Sequence, residues 1–304
     1  MTSEFGSPSE SLQAAAEDWM TSAGRLRVYR AGQGPALLLL HSINAVASSA
    51  EVRPLFEAFQ RHRTVYAFDL PGFGRSDRSD RPYTVSLMCA AIQDVGERIR
   101  AQHDAAALDA MALSLTCEFL ARAVTQQPSA WGHLALVSPT GFQGAHPRTG
   151  SPGSTAEVPG MLKLLHWGGL GRRAFSALTR PSVIRYFLRR TFGREQIDEQ
   201  LWRDGVQAAQ APGAHWAPLY FLSGALFSKD SLDVYRQLQH PVWMSHGVRG
   251  DFTDYRQAQA VLQLPQWSLS VYDTGAIPYF EDGAHFIQDM CEFLATPGSV
   301  GHQR

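Results

Sequence analysis

The chain has 304 residues, of which 44% are hydrophobic and 18% charged, and its formal net charge is −1. That composition supports a large buried core, as one big α/β domain or a domain with a subdomain, and the near-zero charge excludes a general attraction to nucleic acid or to an anionic membrane. Cys89, Cys117 and Cys291 are scattered and form no CxxC pair, which excludes a disulfide framework or a zinc site and points to a reducing cytoplasm.

The opening MTSEFGSPSESLQAAAEDWM has neither the basic n-region nor the apolar h-region of a signal peptide. Residues 1–16 read as a flexible terminus, rich in Ser, Gly, Pro and Glu at its start. Apolar and polar residues then alternate from Arg25 in RLRVYRAG, GQGP turns the chain, and ALLLL follows: a half-buried strand, a turn, a fully buried strand. Helical spacing covers 51–60, a buried strand 65–70, a helix 85–99, a weak alanine-rich strand 107–113 and a helix 117–124. Further strands are predicted at 134–139, 242–247 and 269–273, with helices over 254–264 and 283–294. Alternating strands and helices predict an α/β fold, a mostly parallel, doubly wound sheet covered on both faces.

One stretch breaks the alternation. Residues 141–160 are rich in Gly, Pro and Ser, and from Met161 to about Leu226 the sequence is helical, aromatic and poor in strands. This predicts a helical lid over 141–226, inserted between two core pieces, 17–140 and 227–304. The basic run RYFLRR, 185–190, reads as a solvated helix face. The longest apolar run, 35–40, is too short to span a bilayer.

Three loops follow predicted strands. DLPGFGRSD, 69–77, turns sharply at Gly and Pro. ALSLT, 112–116, sets Ser114 between a strand and a helix with small neighbours, as a strained turn exposing a hydroxyl requires. Such a serine is also an ordinary helix N-cap. LLLLHSINA, 37–45, ends a buried strand. Together these resemble the α/β-hydrolase fold enzymes: a D-x-P-G-x-G-x-S loop, a nucleophile elbow and a His-Gly-x loop in which Ser42 replaces the usual glycine. The likeness covers about 26–140 and 231–294.

The resemblance implies a serine hydrolase. Ser114 would be the nucleophile, and the N–H groups of Ile43 and Leu115 the oxyanion hole. In WMSHGVRGDFTDY, 243–255, Asp251 would be the acid, one residue later than the family's Gly-x-x-Asp spacing, with Asp254 in reserve; two aspartates capping a helix are the plain alternative. The family's catalytic histidine belongs in Gly-His-x-Pro-x-x-Glu. Here the segment is DTGAIPYFE, so Ala276 occupies that position while Gly275, Pro278 and Glu281 keep the frame. Without a base a serine hydroxyl is a poor nucleophile. His41 reads as structural, and His246, His285, His166, His215 and Tyr279 as poor substitutes. The expected substrate is a small, mainly apolar molecule met by Asn44, Trp167 and Trp216, with no metal, no organic cofactor, no nucleic acid and no membrane partner; a homodimer stays open. The alternatives are a ligand-binding protein on a hydrolase scaffold, or a non-hydrolytic lyase or acyl-transfer catalyst of the same fold.

Overall fold

The computed structural model describes residues 10–146 and 148–296. Its centre is an eight-stranded sheet in the order β1-β2-β4-β3-β5-β6-β7-β8. The strands are β1 (Ala15–Thr21), β2 (Gly24–Ala31), β3 (Ala36–Leu40), β4 (Thr64–Phe68), β5 (Leu108–Leu113), β6 (Trp131–Val137), β7 (Val242–Gly247) and β8 (Trp267–Tyr272). The β1–β2 and β2–β4 pairs are antiparallel; every pair from β3–β4 onward is parallel.

Residues 10–16 correct the expectation of a flexible terminus. Leu12 is buried, Glu10 pairs with Arg27 and Arg75, and β1 begins at Ala15. The strand is masked in the sequence because only Trp19 of its residues is buried, an edge-strand pattern without regular alternation. Residues 1–9 lie outside the described residues.

Period-two alternation assigns the side chains of the central strands to two cores. On β3, Leu38 and Leu40 join one cluster and Leu37 and Leu39 the other. The first is covered by α2 (Val85–His103) and α3 (Thr116–Gln126), through Met88, Ile92, Val95, Phe119 and Leu120. The second is covered by α1 (Arg53–Phe59) and the C-terminal helix Gly283–Leu294, through Leu55, Phe56, Phe286 and Met290. The sheet is therefore covered on both faces, as continuous apolar runs in parallel strands require.

Between β6 and β7 the chain inserts α4 (Met161–His166), α5 (Leu170–Leu178), α6 (Pro181–Phe192), α7 (Glu199–Gln210) and α8 (Trp216–Leu222), followed by α9 (Ser231–Arg236). The helix expected over 254–264 is only α10, Gln259–Leu262; the C-terminal helix is α11. The parallel strands β3 and β5 to β8 deliver their following loops to one edge of the sheet, where ligands of such folds bind. Among the described residues no helix is long and apolar enough to cross a membrane.

Candidate active site

The elbow is formed as its sequence requires. Ser114 has φ +57°, a left-handed conformation that costs a residue with a side chain about 1–2 kcal/mol. It is held there by its own N–H donating to Val137 O at 2.8 Å and by Cys117 N–H donating to Ser114 O at 3.1 Å. Thr116, at a position where glycine is usual, is fully buried and its hydroxyl donates to His41 O at 2.6 Å. That bond ties the elbow to the end of β3.

Ser114 lines a cavity of about 170 Å³ together with Ser42, Ile43, Asn44, Leu115 and Ala276. Among the described residues, neither the Ile43 N–H nor the Leu115 N–H has a protein acceptor. Leu115 is the N-cap of α3, where backbone N–H groups and the helix dipole favour negative charge. The Ser42 N–H, by contrast, is engaged: it donates to Glu51 Oε2 at 2.8 Å. Asn44 donates to Glu51 Oε1 at 2.6 Å and to Ser42 Oγ at 3.0 Å, and its Oδ1 accepts from Val46 N–H at 2.8 Å. Asn44 thus both caps the turn and faces the cavity.

Ala276 is buried on the wall of the same cavity. Its N–H donates to Thr191 O at 2.8 Å, its carbonyl accepts from Ser138 Oγ at 2.6 Å, and Gly275 N–H donates to Glu281 Oε1 at 2.7 Å. Close packing fixes this loop. A Cβ on Gly275 would lie 2.3 Å from Thr191 O, and one on Gly247 would lie 2.0 Å from Gly275 O.

No histidine of the described residues lines the cavity. His41 is structural: Leu70 N–H donates to Nε2 at 2.9 Å, which leaves Nδ1–H to donate to Ser42 O at 2.7 Å. His246 stacks on Tyr255 with ring centroids 3.9 Å apart, and burial lowers its pKa. His285 is exposed and sits between Asp282 and Asp289. His166 and His215 pack on Trp216. Tyr279 is buried and donates to Glu51 O at 2.9 Å; burial first, then the Glu51 charge, push its phenol well above the usual range.

The acid side is rearranged. Asp251 is not on the Ser114 cavity but on the neighbouring one, of about 320 Å³. Both its oxygens are taken by Arg190 of α6, Nη2 donating to Oδ1 at 2.6 Å and Nε to Oδ2. Asp254 is bound by Arg256 and by the Gly144 N–H, which hold its carboxyl well below the usual range.

Two expected substrate contacts are corrected. Trp167 is 76% exposed and lines neither cavity; it stands in the turn Trp167–Gly169, where Gly168 and Gly169 take positive φ between α4 and α5. Trp216 packs against His166 and His215 and lines a separate polar groove with Asp80 and Gly213. The apolar wall is instead Leu188, Leu201, Phe221 and Phe252, shared by both cavities. The sequence also hides Glu51, which lines both; an acid in the first turn of a helix reads as a dipole partner and carries no signal of a site.

Behind the elbow, Glu118 of α3 is buried, accepting from Thr140 Oγ1 at 2.5 Å and Ser228 N–H at 3.2 Å. Burial pushes its carboxyl up to about 7 despite these bonds. Among the described residues no group of three His, Cys, Asp or Glu side chains is placed to hold a metal ion.

No curated protein sequence matches the chain. Solved structures similar to it include a 2-hydroxy-6-oxo-6-phenylhexa-2,4-dienoate hydrolase from Rhodococcus sp. strain RHA1, with TM-score 0.71, 17% identity and 93% of this chain and 100% of that one covered. The enol-lactonase from Burkholderia xenovorans LB400 gives 0.70 at 15% identity, covering 92% and 100%. A carboxylesterase from Bacillus subtilis gives 0.68 at 18% identity, covering 93% and 92%. At these identities the likeness concerns the fold. A sequence model of the alpha/beta hydrolase fold family matches residues 35–282, most of the chain. The chain therefore belongs to the alpha/beta hydrolase fold family.

Proposed function

We propose that the chain is a serine hydrolase scaffold for a small, mainly apolar carbonyl substrate such as a carboxylic ester, impaired as written because Ala276 supplies no base. Ser114 is the nucleophile, Ile43 and Leu115 the oxyanion donors, and residues 141–226 the lid. Asp251 is the acid that would orient an imidazole at position 276. The observation that carries this reading is the strained backbone of Ser114 on a cavity beside two N–H groups without acceptors. Left-handed geometry at a serine between strand and helix is strained and is the turn that exposes a nucleophile's hydroxyl. Donors aimed at a developing oxyanion are worth about 3–4 kcal/mol each in other enzymes. In another serine hydrolase, losing the histidine alone costs roughly 10⁶ in turnover.

A second reading, ligand binding without chemistry, is favoured by one observation: Asp251, the other half of the proton relay, is already engaged by Arg190. A fluorophosphonate probe separates the two. Ala276→His is expected to label at Ser114 much faster than the unaltered chain, and Ser114→Ala not at all. A folded Ala276→His variant that labels no faster, or labels elsewhere, removes the serine-hydrolase reading.

A further inference from the structure

Glu51 is the one ionisable side chain on the Ser114 cavity among the described residues. It also lines the adjoining 320 Å³ cavity, and the two share Asn44, Leu188, Thr191, Leu201, Phe221 and Phe252 as common wall. Its carboxylate is fixed by two neutral donors, Ser42 N–H and Asn44 Nδ2, and among the described residues it has no ion pair. The other acids on that wall are neutralised: Asp204 pairs with Arg53, and Asp251 with Arg190. So Arg190, the one cationic side chain on these two cavities among the described residues, is spent on Asp251.

Glu51 is partly exposed and hydrogen-bonded, and no cation among the described residues of the two cavities balances its charge, so a ligand that carries one finds a partner there. Each carboxylate oxygen can accept from a second donor. Phe187, Phe221 and Phe252 add aromatic faces of the kind that attract ammonium groups. A neutral hydroxyl can donate one hydrogen bond to Glu51, an acidic ligand is repelled by it, and a cationic one gains both a hydrogen bond and a charge partner.

We propose that this site selects a lipophilic amine: an apolar body in the larger cavity and a protonated amino group paired with Glu51. This rests on reading the Ser114 cavity as the substrate site and adds the substrate's charge. It is tested by binding alone, so its failure is separate from that of the proposed chemistry. The probes are n-octylamine and n-octanol, of matched length, titrated by calorimetry at pH 7. Octanol's hydroxyl can also donate to the carboxylate, but an ammonium donor carries the opposite charge and makes the stronger bond, so octylamine is expected to bind about tenfold tighter than octanol. Glu51→Gln keeps an acceptor for Ser42 N–H and removes the charge; it is expected to bring the two ligands to within about twofold. Equal binding in the unaltered chain, no octylamine binding at millimolar concentration, or a preference that survives Glu51→Gln overturns the proposal. If Ala276→His labels at Ser114 while octylamine shows no preference, only the amine specificity falls; if the preference holds without labelling, only the chemistry falls.

Discussion

The two halves of the site have different fates. On the β3 and β5 side, the strained serine, the two unengaged N–H groups and the Thr116 bond to His41 O are all in place. On the β7 and β8 side the backbone is closely packed, while alanine stands at 276 and Arg190 holds Asp251. The difference teaches that a loop beside such a cavity has two kinds of constraint. Gly247 and Gly275 are fixed by backbone packing against each other and against α6, so they are required whether or not a histidine is present. The side chain at 276 is buried on the wall of the Ser114 cavity instead.

If packing alone maintains the β7–β8 side, adding a methyl group there is ruinous even without any catalytic role. Gly247→Ala is expected to cost about 4 kcal/mol or more, because backbone atoms rather than a flexible side chain meet the new Cβ; a urea melt close to that of the unaltered chain would show that the frame is loose.

The β5 side carries a stability term of its own in Glu118. Its folded pKa is raised to about 7, so between the ordinary carboxylate range and pH 7 the folded chain holds a proton that the unfolded chain releases. Stability from this group is present at pH 5 and lost as the pH rises to 8, by about 3 kcal/mol at one pKa unit per 1.36 kcal/mol. Glu118→Gln is expected to flatten that slope in urea melts at the two pH values. An unchanged slope assigns it elsewhere.

Arg190 sharpens the contrast further. An orienting carboxylate is worth about 10⁴ in another serine hydrolase, and part of that is withheld while Arg190 engages Asp251. In an Ala276→His background, Arg190→Ala is expected to raise ester turnover about a hundredfold. A double variant no faster than Ala276→His places the orienting acid elsewhere, with Asp254 the next residue to test.

Much of this was legible in the sequence. Apolar runs such as ALLLL mark buried parallel strands because both faces of the sheet are covered, and ALSLT lies at the left-handed turn of Ser114 between β5 and α3. The loop 273–281 located Ala276 through its glycine and proline. What stayed hidden depends on distant partners. Arg190 lies 61 residues from Asp251 and sits in a run that reads as a solvated face. Glu51 looks like a helix-start acid until the fold sets it on the Ser114 cavity. Trp167 and Trp216 had the right chemistry for an apolar site, but the turn at Gly168 and the ring packing on His166 and His215 place them elsewhere.

The central claim is that the β5 side carries a nucleophile with its oxyanion donors and lacks a base. Its most direct test is hydrolysis of a short-chain p-nitrophenyl ester by Ala276→His, with Ala276→His/Ser114→Ala as the control. With Asp251 still engaged, a gain of about a hundredfold or more over the unaltered chain, abolished in the control, is predicted. A folded variant with no gain, or a gain that survives the loss of Ser114, contradicts it.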